Sequence, residues 1–274
     1  LKAMPEERPA MGRVLIVAGS DSGGGAGFQA DVKTVTALGG YAATAITALT
    51  AQNTKGVFGV VPVDPAFIAK QMEVVLTDIG ADCVKTGMLG SAAAIEFVVR
   101  TLERHARGIP VVVDPVMVAK GGAALLAPEA KSALELRLVP RAALVTPNLP
   151  EAEALTGVSI ANPDDMGRAA DVLLALGASA VLIKGGHLPG DTVVDLLRTG
   201  DGLERRFESP RILSRSTHGT GCTLASAIAA GVAEGLRLED AVVRARDYVL
   251  EAIRTAPGLG TGHGPLNHGH PCQK

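Results

Sequence analysis

Short apolar runs alternate along the chain with stretches of helical periodicity. Residues 14–18 are an unbroken apolar run of the length of a buried strand. Residues 27–38 follow with a helical pattern that stops at Gly39-Gly40. Residues 41–47, rich in Ala, Thr and Ile, predict a second strand. Asp64-Pro65 is an N-cap followed by a first-turn proline. Ile68, Met72, Val75, Leu76 and Ile79 then fall on one helical face. Residues 83–86 predict a short strand. Ser91 caps a helix whose Ile95, Val98, Val99 and Leu102 share a face. Residues 111–113, 144–146 and 181–184 read as further strands, and Met166, Ala170, Leu173, Leu174 and Gly177 line a third helical face. Residues 193–198 and 203–208 flank Gly200-Asp201-Gly202 and predict a hairpin. Helices over 220–234 and 239–255 complete the pattern.

This alternation implies an α/β fold, a mostly parallel sheet with helices on both faces. No linker or repeat divides it, so a single domain is expected over 11–268, with tails at 1–10 and 269–274. The Gly- and Pro-rich run from Pro265 looks loose. In such sheets ligands lie beyond the carboxyl ends of the strands.

Composition narrows the function. Of 274 residues, 47 % are hydrophobic and 20 % charged, which excludes a disordered chain. Lys plus Arg number 26 against 28 Asp plus Glu, a net charge of −2 that announces neither nucleic acid nor an anionic membrane. With 5 Phe, 2 Tyr and no Trp, base-stacking platforms are almost excluded. Residues 34–54 carry no charge, yet Gly39, Gly40, Gln52, Asn53 and the threonines argue against a membrane span. Cys83, Cys222 and Cys272 make neither a disulfide framework nor a zinc spacing, and suit a reducing cytoplasm. The 33 glycines are about 12 % of the chain, against about 7 % ordinarily. They gather after predicted strands: 19–27, Gly87 and Gly90, Gly121-Gly122, Gly185-Gly186, and 219–221. That is the ligand edge of the sheet.

Three motifs carry chemistry there. The glycine-rich loop 19–27 opens the first helix, where bare backbone can approach a ligand. Its Gly25-x-Gly27-x-x-Ala30 satisfies a dinucleotide fingerprint, but 32–63 contain no acid to hold a ribose, so a nicotinamide-dependent oxidoreductase is disfavoured. Thr217-His218-Gly219-Thr220-Gly221-Cys222 precedes a small-residue helix whose first N–H groups would form an anion hole. Cys222, in the first turn, is expected to have a lowered thiol pKa and to act as base or nucleophile. Finally, Asp114 after a buried strand, Lys184 closing another, and Glu151 or Glu153 at a helix start place two signs of charge at the same edge, suited to phosphate and Mg²⁺. His263, His268 and His270 crowd a segment read as too loose for a metal site.

Taken together, these motifs resemble the ribokinase-like kinases, and among them the hydroxymethylpyrimidine/phosphomethylpyrimidine kinases of thiamine biosynthesis. The likeness runs over 13–268, through Ala18-Gly19-Ser20-Asp21-Ser22-Gly23-Gly24-Gly25-Ala26-Gly27, Thr47-Ala48-Leu49-Thr50-Ala51-Gln52-Asn53-Thr54, Lys85-Thr86-Gly87-Met88-Leu89, Asp114-Pro115-Val116-Met117, Thr146-Pro147-Asn148-Leu149-Pro150-Glu151-Ala152, Lys184-Gly185-Gly186-His187 and the Thr217–Thr223 motif, in the family's order. The resemblance implies a three-layer α/β/α sandwich. It implies ATP-dependent phosphorylation of 4-amino-5-hydroxymethyl-2-methylpyrimidine and then of its monophosphate, with Mg²⁺. By the family pattern, Gln52 would hold the amino and ring-nitrogen edge of the pyrimidine, and Asp31, Gly19, Thr50 and Met88 would line the same pocket. Cys222 would be the base; Gly219, Thr220 and Gly221 would cradle the transferring phosphoryl group. Lys184, Thr217 and Asn148 would contact ATP, and Asp114 and Glu151, with Asn148, would organise Mg²⁺. Thr50 stands where some relatives carry Val. Pyridoxal kinase is the competing activity, because it shares the cysteine arrangement; a non-catalytic sensor is a further alternative. The resemblance also suggests a homodimer, and Gly121-Gly122 is the expected closing loop.

Overall fold

The computed structural model describes residues 11–117, 122, 125–127 and 129–273; the tail at 1–10 and Gly121 of the expected closing loop lie outside them. In chain order the elements are β1 (Arg13–Ala18), α1 (Gly27–Ala37), β2 (Tyr41–Ile46), β3 (Ala48–Asn53), β4 (Gly56–Pro62), α2 (Pro65–Asp78), β5 (Cys83–Thr86), α3 (Ala92–His105), β6 (Val111–Val113), α4 (Ala130–Ala133), β7 (Leu144–Val145), α5 (Leu149–Thr156), α6 (Pro163–Ala175), β8 (Ala180–Ile183), β9 (Thr192–Thr199), β10 (Glu204–Pro210), α7 (Thr220–Ala233) and α8 (Leu238–Arg254). The sheet order is β10-β9-β8-β7-β6-β5-β1-β2. From β2 to β8 the pairs are parallel, and the β9–β10 hairpin adds two antiparallel strands at one edge.

The three layers follow from strand alternation, which sends successive side chains to opposite faces. Leu15, Val17, Val84, Val113 and Val181 pack with residues of α2 to α6. Val14, Ile16, Val112 and Leu182 pack instead with α7 and α8, joined by Val35 of α1. Both faces are apolar because both are covered. Each fully buried Leu, Ile or Val stabilises the fold by roughly 1.5–3 kcal/mol. The caps act as expected: Asp64 accepts from the Ala66 and Phe67 N–H groups, and Ser91 from Ala94.

Two expectations need correction. Sequence periodicity gave no sign of β3 and β4, which form a separate antiparallel hairpin beside the main sheet. Their Leu49, Phe58, Val60 and Val61 are exposed, so the inside–outside alternation that marks a half-buried strand is missing. The C-terminal run is not a loose tail. Pro265 bridges to His218, Leu266 and His268 are buried, and the Asn267 N–H donates to Ala252 O at 3.0 Å. Tyr248 Oη donates to His268 O at 2.6 Å, His268 Nε2 meets Thr223 Oγ1 at 3.0 Å, and residues His270–Cys272 add a 3-10 turn. Partners on α7 and α8 thus supply the order that local composition does not encode.

Burial, with the charges of Lys33, His218 and His270 against it, lowers the His268 pKa to about 4. The unfolded chain, with an ordinary histidine near 6.5, therefore binds more protons between those values, and stability falls on acidification through that window, by at most about 3 kcal/mol. Thermal melts between pH 7 and 4.5 should show a steeper loss of Tm for the parent than for His268→Gln. Parallel curves would remove this contribution.

Candidate active site

The carboxyl end of β1 runs into the loop 19–27, and α7 begins against it. Gly219, the N-cap of α7, has φ +83°, and a side chain there would overlap the carbonyl oxygen of Gly25. At Gly27 (φ +58°) a Cβ would stand 2.5 Å from Gly19 O. These glycines let two loops pack backbone on backbone, bringing the starts of α1 and α7 together. The α7 start has no side-chain cap, so its first N–H groups and dipole are available to an anion, whereas at α1 the Ala26, Gly27 and Phe28 N–H groups are taken by Asp21, Cys222 and Gly19 O. Thr220 Oγ1 donates to Thr217 O at 3.2 Å, folding the approach to α7.

Cys222 lies at this junction, partly exposed, and the Gly27 N–H donates to its sulphur. Its thiol is pushed up to about 12, the reverse of the sequence expectation. Burial is the largest cause; the Lys85 ammonium pulls the value down, Asp31 and Asp114 push it up, and the Gly27 N–H favours the thiolate. The helix field is present but loses to desolvation.

Asp31, expected among the substrate contacts, stands in the interior beneath the cysteine. It is fully buried, accepting from Lys85 Nζ at 2.8 Å and from Ser226 Oγ at 2.7 Å. Ser226 stands one helical turn beyond Cys222 on α7, so this ion pair underlies the cysteine. Burial opposes the Lys85 charge, and Asp31, Cys222 and Asp114 outweigh it and raise the pKa. Sequence reasoning missed Lys85. The signal was a lysine inside the apolar strand 83–86, where an unpaired charge could not survive.

The opposite wall is built by β3. Thr50 Oγ1 donates to Ser20 O at 2.9 Å, and its N–H donates to Ser20 Oγ at 2.8 Å. The Gln52 N–H donates to Ser22 Oγ at 2.8 Å, while that hydroxyl donates to Gln52 O at 2.9 Å. The hairpin is thereby stitched to the glycine loop, leaving the Gln52 side chain partly exposed. Met88 packs on Gly19, its methyl group occupying the space a side chain there would need.

The charged residues gather at the ends of β6, β7 and β8. Lys184 Nζ lies 3.0 Å from Asp114 Oδ1 and 4.0 Å from Glu151 Oε2. Thr146 Oγ1 donates to Asp114 Oδ1 at 3.3 Å. Asn148 and Glu151 form a capping box on α5, each side chain accepting from the other's N–H. Burial raises the Glu151 pKa to about 7, with Lys184 pulling it down and Asp114 pushing it up. A Cβ on Gly221 would stand 3.1 Å from Lys184 Nζ and 3.8 Å from Asp114 Oδ2, so this cluster adjoins the start of α7.

A cysteine beside the bare start of α7, facing an amide-bearing wall and a lysine–carboxylate cluster, has the parts of a phosphoryl-transfer site. Comparison with known proteins agrees: the phosphomethylpyrimidine kinase model matches residues 21–267. The chain belongs to this family. It is a phosphotransferase of the family, so an oxidoreductase or a sensor is not its class. It is 57 % identical over 94 % of its length to the thiamine biosynthesis bifunctional protein ThiED of Geobacter sulfurreducens, of which it spans 52 %. It is 47 % identical to the hydroxymethylpyrimidine/phosphomethylpyrimidine kinase of Bacillus subtilis, covering 93 % of this chain and 94 % of that one. Among solved structures, a pyridoxal kinase from Staphylococcus aureus in complex with AMP-PCP and pyridoxal superposes with a TM-score of 0.87 at 36 % identity, covering 95 % of this chain and 94 % of that one. The fold of family and neighbour is the α/β sandwich described above.

Proposed function

We propose that the chain transfers the terminal phosphoryl group of ATP to the hydroxymethyl oxygen of 4-amino-5-hydroxymethyl-2-methylpyrimidine, and then phosphorylates the monophosphate. The observation that carries this reading is Cys222 at the convergence of the α1 and α7 starts, with Gln52 on the facing wall. The hydroxymethyl oxygen attacks the γ-phosphorus, the bond from that phosphorus to the β,γ-bridging oxygen breaks, ADP leaves, and the hydroxyl proton passes to the Cys222 thiolate. The N–H groups at Gly219, Thr220 and Gly221 hold the transferring group. Lys184, Thr217 and Asn148 contact the ATP phosphates. Gln52 reads the pyrimidine edge while Thr50, Gly19 and Met88 shape its pocket.

Among the described residues no group of three or more His, Cys, Asp or Glu side chains is placed to cage a metal. Asp114 and Glu151 nevertheless suit Mg²⁺, which keeps several waters and takes phosphate oxygens. When bound there, the ion withdraws charge from the phosphates. Lys184, between both carboxylates, offsets part of their charge.

We place a second copy of the chain on the exposed apolar β3–β4 hairpin, giving a homodimer. The unpaired cysteines suit the cytoplasm, and no described helix is long and apolar enough to cross a membrane.

Pyridoxal phosphorylation is the second reading, favoured by the likeness to the pyridoxal kinase structure. A panel of ADP-release assays with the hydroxymethylpyrimidine, its monophosphate and pyridoxal decides between them. The expected result is turnover of both pyrimidines, with kcat/KM for pyridoxal at least about tenfold lower. Turnover of pyridoxal alone would overturn the proposal.

A further inference from the structure

Between the two glycine loops runs a hydrogen-bonded chain that phosphoryl transfer leaves without a task. Asp21, buried, accepts through Oδ1 from the Gly23 N–H at 2.9 Å and through Oδ2 from the Gly25 and Ala26 N–H groups at 3.1 and 2.8 Å. The same Oδ2 lies 2.7 Å from His218 Nε2. His218 Nε2 lies in turn 3.3 Å from the amide nitrogen of the Gln52 side chain. A Cβ on Gly25 would stand 2.7 Å from His218 Cδ2, so the loop leaves room for the ring.

Burial works against the Asp21 charge, but His218 and the loop N–H groups outweigh it and hold the carboxyl below its usual range. An ionised carboxylate only accepts, so His218 Nε2 carries a hydrogen and donates to it. That nitrogen then has no lone pair to offer a second N–H. Two donors cannot share the 3.3 Å contact with Gln52. A half-turn of the terminal amide exchanges its oxygen and nitrogen within the same shape and resolves the conflict.

We infer that the Asp21–His218 pair is a positioning device that orients the Gln52 amide: the single His218 Nε2–H, donated mainly to Asp21 Oδ2, meets the Gln52 oxygen as the longer branch of a bifurcated hydrogen bond and turns the NH₂ group toward the substrate. The oxygen keeps one lone pair for a substrate amino group, and the NH₂ donates to a ring nitrogen. The order of acceptor and donor along the recognition edge is therefore set by a residue that need not touch the substrate. This selects heteroaromatic alcohols whose amino group and ring nitrogen stand side by side in that order. The inference rests on the proposed substrate role of Gln52.

A double-mutant cycle tests it, with 4-amino-5-hydroxymethyl-2-methylpyrimidine as the varied substrate. Gln52→Met should raise its KM at least tenfold. His218→Phe, which keeps a ring but removes the donor, should raise it about tenfold while leaving the KM for ATP unchanged. His218→Gln restores an N–H near the same point and should return KM to within about threefold of the parent. In the Gln52→Met background, His218→Phe should add nothing. Melting temperatures report folding, and His218→Leu replaces the Phe variant should that one fail to fold. An unchanged KM in Gln52→Met overturns the substrate role of Gln52 and this inference with it. A raised KM in Gln52→Met, with His218→Phe acting equally in both backgrounds or His218→Gln as impaired as Phe, overturns the positioning role alone.

Discussion

Replacing Cys222 by alanine should lower kcat by at least about a hundredfold, the usual contribution of a positioned general base, while the KM for ATP stays near the parent value. The reason is geometric: the sulphur stands where α1 and α7 begin, and the phosphate contacts assigned to Lys184 and the backbone N–H groups remain. The thiol adds a second expectation. It is pushed up to about 12 by burial, and only the thiolate accepts a proton. Below that value the thiolate fraction grows tenfold per pH unit, and kcat/KM, which reports groups of the free enzyme, should rise with pH between 7 and 9.5. Cys222→Asp supplies a base already ionised at pH 7 and should flatten the rise. Steady-state profiles of the three proteins make the check. A parent-like kcat in the alanine variant would exclude the base role.

Lys85→Met should destabilise the protein by about 3–5 kcal/mol, the cost of leaving one member of a buried ion pair uncompensated. Lys85 and Asp31 have no exposed side-chain surface, and Ser226 supplies the other hydrogen bond to the carboxylate. With Lys85 gone, Asp31 has no paired cation among the described residues and must take up a proton or admit water. Removing both charges, as Lys85→Met with Asp31→Leu, leaves no orphan and should recover most of the loss. Urea unfolding of the two variants and the parent makes the measurement; a double variant no more stable than Lys85→Met would show that the carboxylate is not the origin of the cost. The double variant should also separate stability from catalysis. It lacks both the cation that pulls the Cys222 thiol down and the carboxylate that pushes it up, the cation being the larger influence, so its kcat at pH 7 should lie between those of Lys85→Met and the parent even when its melting temperature is restored.

Much of this was legible in the chain. Apolar runs the length of strands, alternating with stretches of helical period, give the parallel sheet, and the glycines after those strands mark its ligand edge. Cys222, Lys184, Asp114 and Glu151 are found together, as their positions at strand and helix ends imply. What escaped has one origin: it depends on partners distant in sequence. The hairpin carrying Gln52 has an exposed apolar surface, so its pattern is not that of a half-buried strand. Asp31 reads as a polar residue early in a helix, and only the arrival of Lys85 and Ser226 makes it an interior group. The Cys222 thiol follows desolvation by the assembled layers, which a first-turn position does not encode. The C-terminal run has loop composition, yet the faces of α7 and α8 hold it.

The contact of Gly219 with Gly25 joins the beginning of the chain to a segment made late in synthesis. The strands from β1 to β8 can emerge and pair before α7 exists, but one face of that sheet, with Val14, Ile16, Val112 and Leu182, has α7 and α8 as its cover. A nascent chain must therefore carry an open apolar surface through much of its translation, a period in which aggregation competes with folding. Catalytic competence then arrives in one late event, when α7 docks and closes the apolar face and the phosphoryl-transfer site together.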